Sequence, residues 1–180
     1  MGQKRVRVGD VFEIPLSDGR KAYGQYVFRD KKMGPLVQVF DLITEGDLPP
    51  EEVLERLKSA KPLFPPVITG VFAAVRTGLW KVIGRLPIRE FTYPRFVSTF
   101  YDQKTGKARM WFLWDGEKSI RIGSELPEEY KQLEFLMVWS PYDVMHRIET
   151  GEYPYPYGDL IRYNKFTPRE TNPRSHNDEQ

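Results

Sequence analysis

The feature that most constrains this chain is a series of X-Gly dipeptides set between runs rich in apolar residues. Asp18-Gly19 separates "DVFEIPL" from "AYGQYVF", and Thr77-Gly78 separates "VFAAVR" from "LWKVIGRLPI". Thr105-Gly106 separates "RFVSTFYD" from "KARMWFLW", and Asp115-Gly116 separates that run from "EKSIRIG". Glycine reaches positive φ without a Cβ clash, which is what tight hairpin turns require, so each dipeptide marks a reversal between strands. A series of such reversals predicts an antiparallel sheet, to which "GPLVQVFDLI" over residues 34–43 adds a long strand. The expected class is therefore α+β and mainly antiparallel β. About seven strands would form a small, strongly curved sheet or barrel that hides its edges, with two or three short helices.

The first turn also gathers Ser17, Asp18, Arg20 and Lys21. A nucleophilic serine needs a base beside it. The two histidines, His146 and His176, are remote in sequence, so the segment reads as a turn. Helices are recognised by their ends. "GDLPPEEVLERLKSAKP" has prolines at its start, acids in the first turn, Val53, Leu54 and Leu57 on one side, and Pro62 as a stop. In "SPYDVMHRIETGE", Ser140 caps, Pro141 takes the first position, Asp143 completes an S-x-x-D box and Gly151 ends the helix. Between them "PEEYKQLEFLMVW" predicts a short helix running into a strand. A length of 180 residues fits one domain, expected over residues 1–163, and the polar, aperiodic stretch 164–180 predicts a tail.

Charge narrows function by exclusion. The formal net charge is +2, with charges of both signs interspersed, so no global field points to nucleic acid or an anionic membrane. The absence of cysteine removes disulfides and thiolate metal sites and fits a reducing cytosol. The first residues lack the apolar segment of a secretory signal, and Val6 stands where a myristoylation motif wants Ser or Thr. The expectation is a cytoplasmic protein without a membrane partner.

The blocks "GDVFEIPLSDGRKAYGQ", "GPLVQVFDL", "FAAVRTGLWKVIGRLPI" and "PYDVMHRIETGEYPY" resemble the immunity protein 26 family. The resemblance runs from about Val8 to Tyr155, nearly the whole of the expected domain. It implies a strand-rich α+β domain, encoded in a bacterial polymorphic toxin system, that protects the producing cell by binding a cognate toxin encoded next to it. Some relatives carry the label of a small phosphotriesterase, so hydrolysis is the alternative it brings. It names no catalytic residue and no cofactor. Asp10, Phe12, Pro15, Gly19, Tyr23, Trp80, Gly84, Pro87 and Phe96, which carry the match, each have a structural explanation as turn, bulge or core residues.

The residues themselves weigh against catalysis. A binuclear metal centre draws on clustered His, Asp and Glu. The acids Asp10, Glu13, Asp18, Asp41, Glu45 and Asp47 match no ligand spacing, and His146 has no nucleophile placed to use it. A third possibility, a small-barrel nucleic-acid binder, rests on Arg109, Trp111, Trp114, Lys118 and Arg121, but acids interrupt the charge. An inhibitor needs only a rigid, complementary surface. Two stretches suit it: the acidic run Glu45, Asp47, Glu51, Glu52 and Glu55, and the Tyr-Pro alternation carrying Tyr153, Tyr155 and Tyr157. No cofactor or metal is expected.

Overall fold

The computed structural model describes residues 5–154 apart from 103, 105 and 106. The expected Thr105-Gly106 turn, the side chain of Arg109, Tyr155, Tyr157, His176 and the expected tail over 164–180 lie outside what is described. Strands β1 (Asp10–Pro15), β2 (Lys21–Asp30) and β3 (Gly34–Thr44) come first, followed by helix α1 (Pro50–Leu57), strand β4 (Val67–Thr69), helix α2 (Val71–Arg76) and strand β5 (Lys81–Arg85). Strands β6 (Phe96–Asp102), β7 (Lys107–Trp114) and β8 (Ser119–Gly123) precede a 3-10 turn at Glu128–Tyr130. Two short strands, β9 (Glu134–Phe135) and β10 (Val138–Trp139), lead into helix α3 (Pro141–Thr150). No helix among the described residues is long and apolar enough to cross a membrane.

The Asp18-Gly19 segment is a hairpin turn. Gly19 has φ 85°, Gly19 N–H donates to the Leu16 carbonyl at 3.1 Å, and β1 pairs with β2 in register around it. Asp115-Gly116 also turns, with Gly116 at φ 99° and the Asp115 carboxylate accepting the N–H groups of Glu117 and Lys118 at 2.9 Å.

Two expectations are corrected. "VFAAVR" is helix α2, not the first strand of a hairpin: its buried residues, Val71 and Ala74, are spaced i, i+3, so a single helical face meets the core. Gly78 (φ 76°) still reverses the chain, but after a helix, and β5 pairs with β1 instead. The single curved sheet or barrel is replaced by two open sheets, ordered β10-β4-β3-β2-β1-β5 and β8-β7-β6-β9. The break falls in the irregular stretch 86–95, where Pro87 and Pro94 cannot donate to a ladder and so let the chain leave one sheet and start another. Ten strands are described instead of about seven. The expected class, α+β and mainly antiparallel, stands, with parallel pairing at β10–β4 and β6–β9.

Alternation along the strands assigns the two faces of the larger sheet. Phe12, Ile14, Ala22, Tyr26, Val37 and Val39 form the main core with Val71 and Ala74 of α2, Val144 and Ile148 of α3, and the rings of Trp80 and Trp139. The opposite face carries Val11, Tyr23 and Phe40, on which Val53 and Leu57 of α1 rest. Gly84 allows that approach: a Cβ there would stand 2.5 Å from Leu54 Cδ1. Farther along the same face, Val27, Leu36 and Ile68 pack with Phe96, Ile88, Phe91 and Tyr93.

Residues 134–139 tie the sheets together, since β9 pairs with β6 in one and β10 with β4 in the other. Beside this crossing lies a buried ion pair. Arg147 Nη1 and Nη2 donate to the two Glu134 carboxylate oxygens at 2.9 and 2.6 Å, with the side chains 1% and 4% exposed. The guanidinium is 4.1, 5.0 and 4.8 Å from the ring centroids of Phe64, Trp139 and Tyr153, and the Tyr153 hydroxyl donates to Glu134. Burial first, and the Glu134 carboxylate second, push the Tyr153 hydroxyl well above its ordinary value.

A second polar knot closes the β2–β3 turn. The Asp30 carboxylate accepts the N–H groups of Lys32 and Met33 at 2.7 and 3.0 Å and the hydroxyl of Tyr93. Burial alone would raise the Asp30 carboxyl, but the bonds from Tyr93, Met33 and Lys32 outweigh it and hold it below its ordinary value of 3.8. Burial, then the bond to Asp30, pushes the Tyr93 hydroxyl up to about 12. A depressed folded value means that this stabilisation is complete above the unfolded carboxyl's value and fades as pH falls through the folded one. Asp30→Asn is therefore expected to lower the urea midpoint at pH 7, with a deficit that narrows as pH falls through the folded carboxyl's depressed value and the wild-type group also becomes protonated. A deficit independent of pH would refute the assignment.

Candidate functional site

A cleft of about 400 Å³ opens on the α1 face of the larger sheet, between that helix and residues 86–91. Its floor comes from adjacent strands: Gln25 and Val27 on β2, Gln38 and Phe40 on β3. Leu57, Pro62, Leu86 and Ile88 give it apolar walls, while Lys58, Arg89 and Glu90 stand at its edge. Arg89 Nη2 donates to the Leu57 carbonyl at 3.0 Å and so links the two walls.

The two glutamines are direct cross-strand partners, 5% and 9% exposed. Gln25 Nε2 donates to the carbonyls of Leu86 (2.8 Å) and Gly9 (3.3 Å). Gln38 Nε2 donates to those of Phe64 (2.7 Å) and Val39 (2.8 Å). Turning either amide over would set its oxygen against two carbonyls, so the network fixes both orientations. Each Nε2 is thus committed, and neither Oε1 accepts a hydrogen bond among the described residues.

The expected acidic surface lies on another side of α1. Glu51 and Glu52 occupy the first turn behind Pro50, where negative charge complements the helix dipole. Glu52 pairs with Arg56 and Glu55 with Lys58. Asp47, 92% exposed at its side chain, is bonded by Lys21, which holds its carboxyl below the usual value and also reaches Glu13 at 3.2 Å. Glu45 and Glu51 are exposed and make no ion pair among the described residues. Tyr153 is placed elsewhere, tilted against Trp139 at 5.1 Å and bonded to Glu134.

The other acids considered for metal chemistry do not converge. Asp10 accepts from Arg85 Nε and Nη2 at 3.0 and 2.9 Å, Asp18 is bonded to Arg20 in its own turn, and Asp41 is exposed on β3. No group of three His, Cys, Asp or Glu able to hold a metal occurs among the described residues. His146 lies exposed on α3. The aromatic face imagined for single strands is not open: Trp111 is core, and Trp114 donates to the Tyr93 hydroxyl at 3.2 Å beneath Lys32.

Sequence reasoning missed Gln25, Gln38 and the Glu134–Arg147 pair. A signal for the glutamines exists in "GQYVF" and "VQVF", where an amide interrupts the apolar residues of successive strands. The family profile described as immunity protein 26 matches residues 7–108. Neither a curated protein nor a solved structure matches the chain.

Proposed function

Because this chain belongs to the immunity protein 26 family, we propose that it binds a cognate polymorphic toxin, encoded beside it, and neutralises it by docking without catalysis in the cytoplasm. The surface we assign is the edge formed by Glu45, Asp47, Glu51, Glu52 and Glu55, with the expected contribution of Tyr153, Tyr155 and Tyr157 at a second edge. The supporting observation is that Glu45, in the bend after β3, and Glu51, in the first turn of α1, are solvent-facing and unpaired among the described residues, while α1 packs on the sheet through Val53 and Leu57. A basic toxin face would be steered toward such an edge, and rim charges act mainly on the association rate.

The test is co-expression with the product of the adjacent gene, followed by co-purification and cell survival. The wild-type chain is expected to co-elute and protect. Glu45→Lys with Glu51→Lys, which breaks no ion pair among the described residues, is expected to slow association about tenfold or more at low salt, with the difference shrinking as salt rises. Unchanged kinetics would move the interface elsewhere. Killing without any complex would end the toxin reading, and phosphotriester turnover by the purified chain would replace it with hydrolysis.

A further inference from the structure

The cleft between α1 and residues 86–91 has a chemistry that the acidic edge does not. Gln25 and Gln38 line its floor as cross-strand neighbours, and because their amide nitrogens are committed to backbone carbonyls, the two carboxamide oxygens are the groups left without a hydrogen-bond partner among the described residues. Around them the surface is Val27, Phe40, Leu57 and Ile88, all apolar. An occupant must therefore bring donors inward and hydrocarbon outward. A purely hydrocarbon group would leave desolvated acceptors without donors. A carbonyl or carboxylate would set acceptor against acceptor. A cation would supply donors but lose its hydration against apolar walls, with Lys58 and Arg89 at the edge. A neutral aromatic ring with an N–H and no acceptor satisfies every condition, and the indole of tryptophan is the side chain of that kind. A volume of about 400 Å³ lies within the range of small-ligand sites.

We propose that this cleft is an anchor pocket that takes a tryptophan side chain of the toxin, the indole N–H donating to Gln25 or Gln38 Oε1 and the ring lying on Val27, Phe40 and Leu57. Tryptophan in a desolvated pocket is a common energetic centre of protein interfaces. The source of the ring rests on the toxin-binding function; the chemistry of the cleft does not.

The full-length, ¹⁵N-labelled protein is titrated with N-acetyl-tryptophanamide and with its 1-methylindole analogue, reading the side-chain amide signals of Gln25 and Gln38. The expected result is a shift of both signals, an affinity at least about tenfold weaker for the methylated probe, and displacement of the probe by the toxin domain. Equal affinity for the two probes, or no shift at these glutamines, overturns the pocket chemistry even if cell protection is intact. A toxin complex that protects yet leaves the probe bound overturns the tryptophan's source while the toxin reading survives. Loss of the toxin reading shows separately, as an absent complex beside an intact probe shift, and removes that source.

Discussion

Arg147→Met is expected to cost about 3–5 kcal/mol of stability, because it strands the Glu134 carboxylate inside the protein. The pair is 1% and 4% exposed, and the guanidinium sits among three aromatic rings, so water cannot replace the lost partner. Urea unfolding reads the loss as a lower midpoint at an unchanged slope. Glu134→Leu in the same background removes the stranded charge but leaves the Tyr153 hydroxyl without its acceptor. The combination Glu134→Leu, Arg147→Met, Tyr153→Phe is therefore expected to recover most of the loss, since apolar replacement of a whole buried ion pair is often neutral or better. A single Arg147→Met variant as stable as the wild type would contradict the buried pair.

Trp80 gives the second large effect, and one with an unusual split. Its side chain is 1% exposed, tilted against Phe12 with centroids 6.1 Å apart, at the centre of the main core. Trp80→Ala should cost about 3–5 kcal/mol through lost contacts and the cavity left behind. Trp80→Phe should cost far less than its reduced volume suggests. The buried Nε1 has no hydrogen-bond partner among the described residues, and an unsatisfied buried donor costs about 1–3 kcal/mol. Removing that donor offsets much of the lost packing, so the expected change is within about 1 kcal/mol. Equal losses in the two variants would show that the indole N–H is satisfied.

What could be read from the sequence was what is decided locally. Ser140, Pro141, Asp143 and Gly151 define α3 from residues within the helix itself, and the structure shows Asp143 N–H on Ser140 Oγ at 3.1 Å and Gly151 at φ 77°. The first hairpin and α1 were legible for the same reason. "VFAAVR" was not: a short apolar run fits a strand and a helix alike, and the contact with the sheet decides between them. The division into two sheets was hidden because it depends on which strands find each other across long separations. The acids of α1 were visible as a run, while Gln25 and Gln38 become a pair only through the β2–β3 register. Tyr153 belongs to a Tyr-Pro alternation that suits an open surface and a buried strap alike, and its partners Glu134 and Trp139 lie well outside that alternation.

The crossing at residues 134–139 bears on how the chain could be divided. The family match ends at residue 108, within β7, yet Trp139 and the α3 residues Val144 and Ile148 complete the core on which β1, β2 and β3 rest. A fragment cut at the end of that match would carry most of the recognisable pattern and would lack the lid of its own interior. Homology boundary and folding unit therefore differ here, and any minimal fragment with a complete core must reach past the last turn of α3.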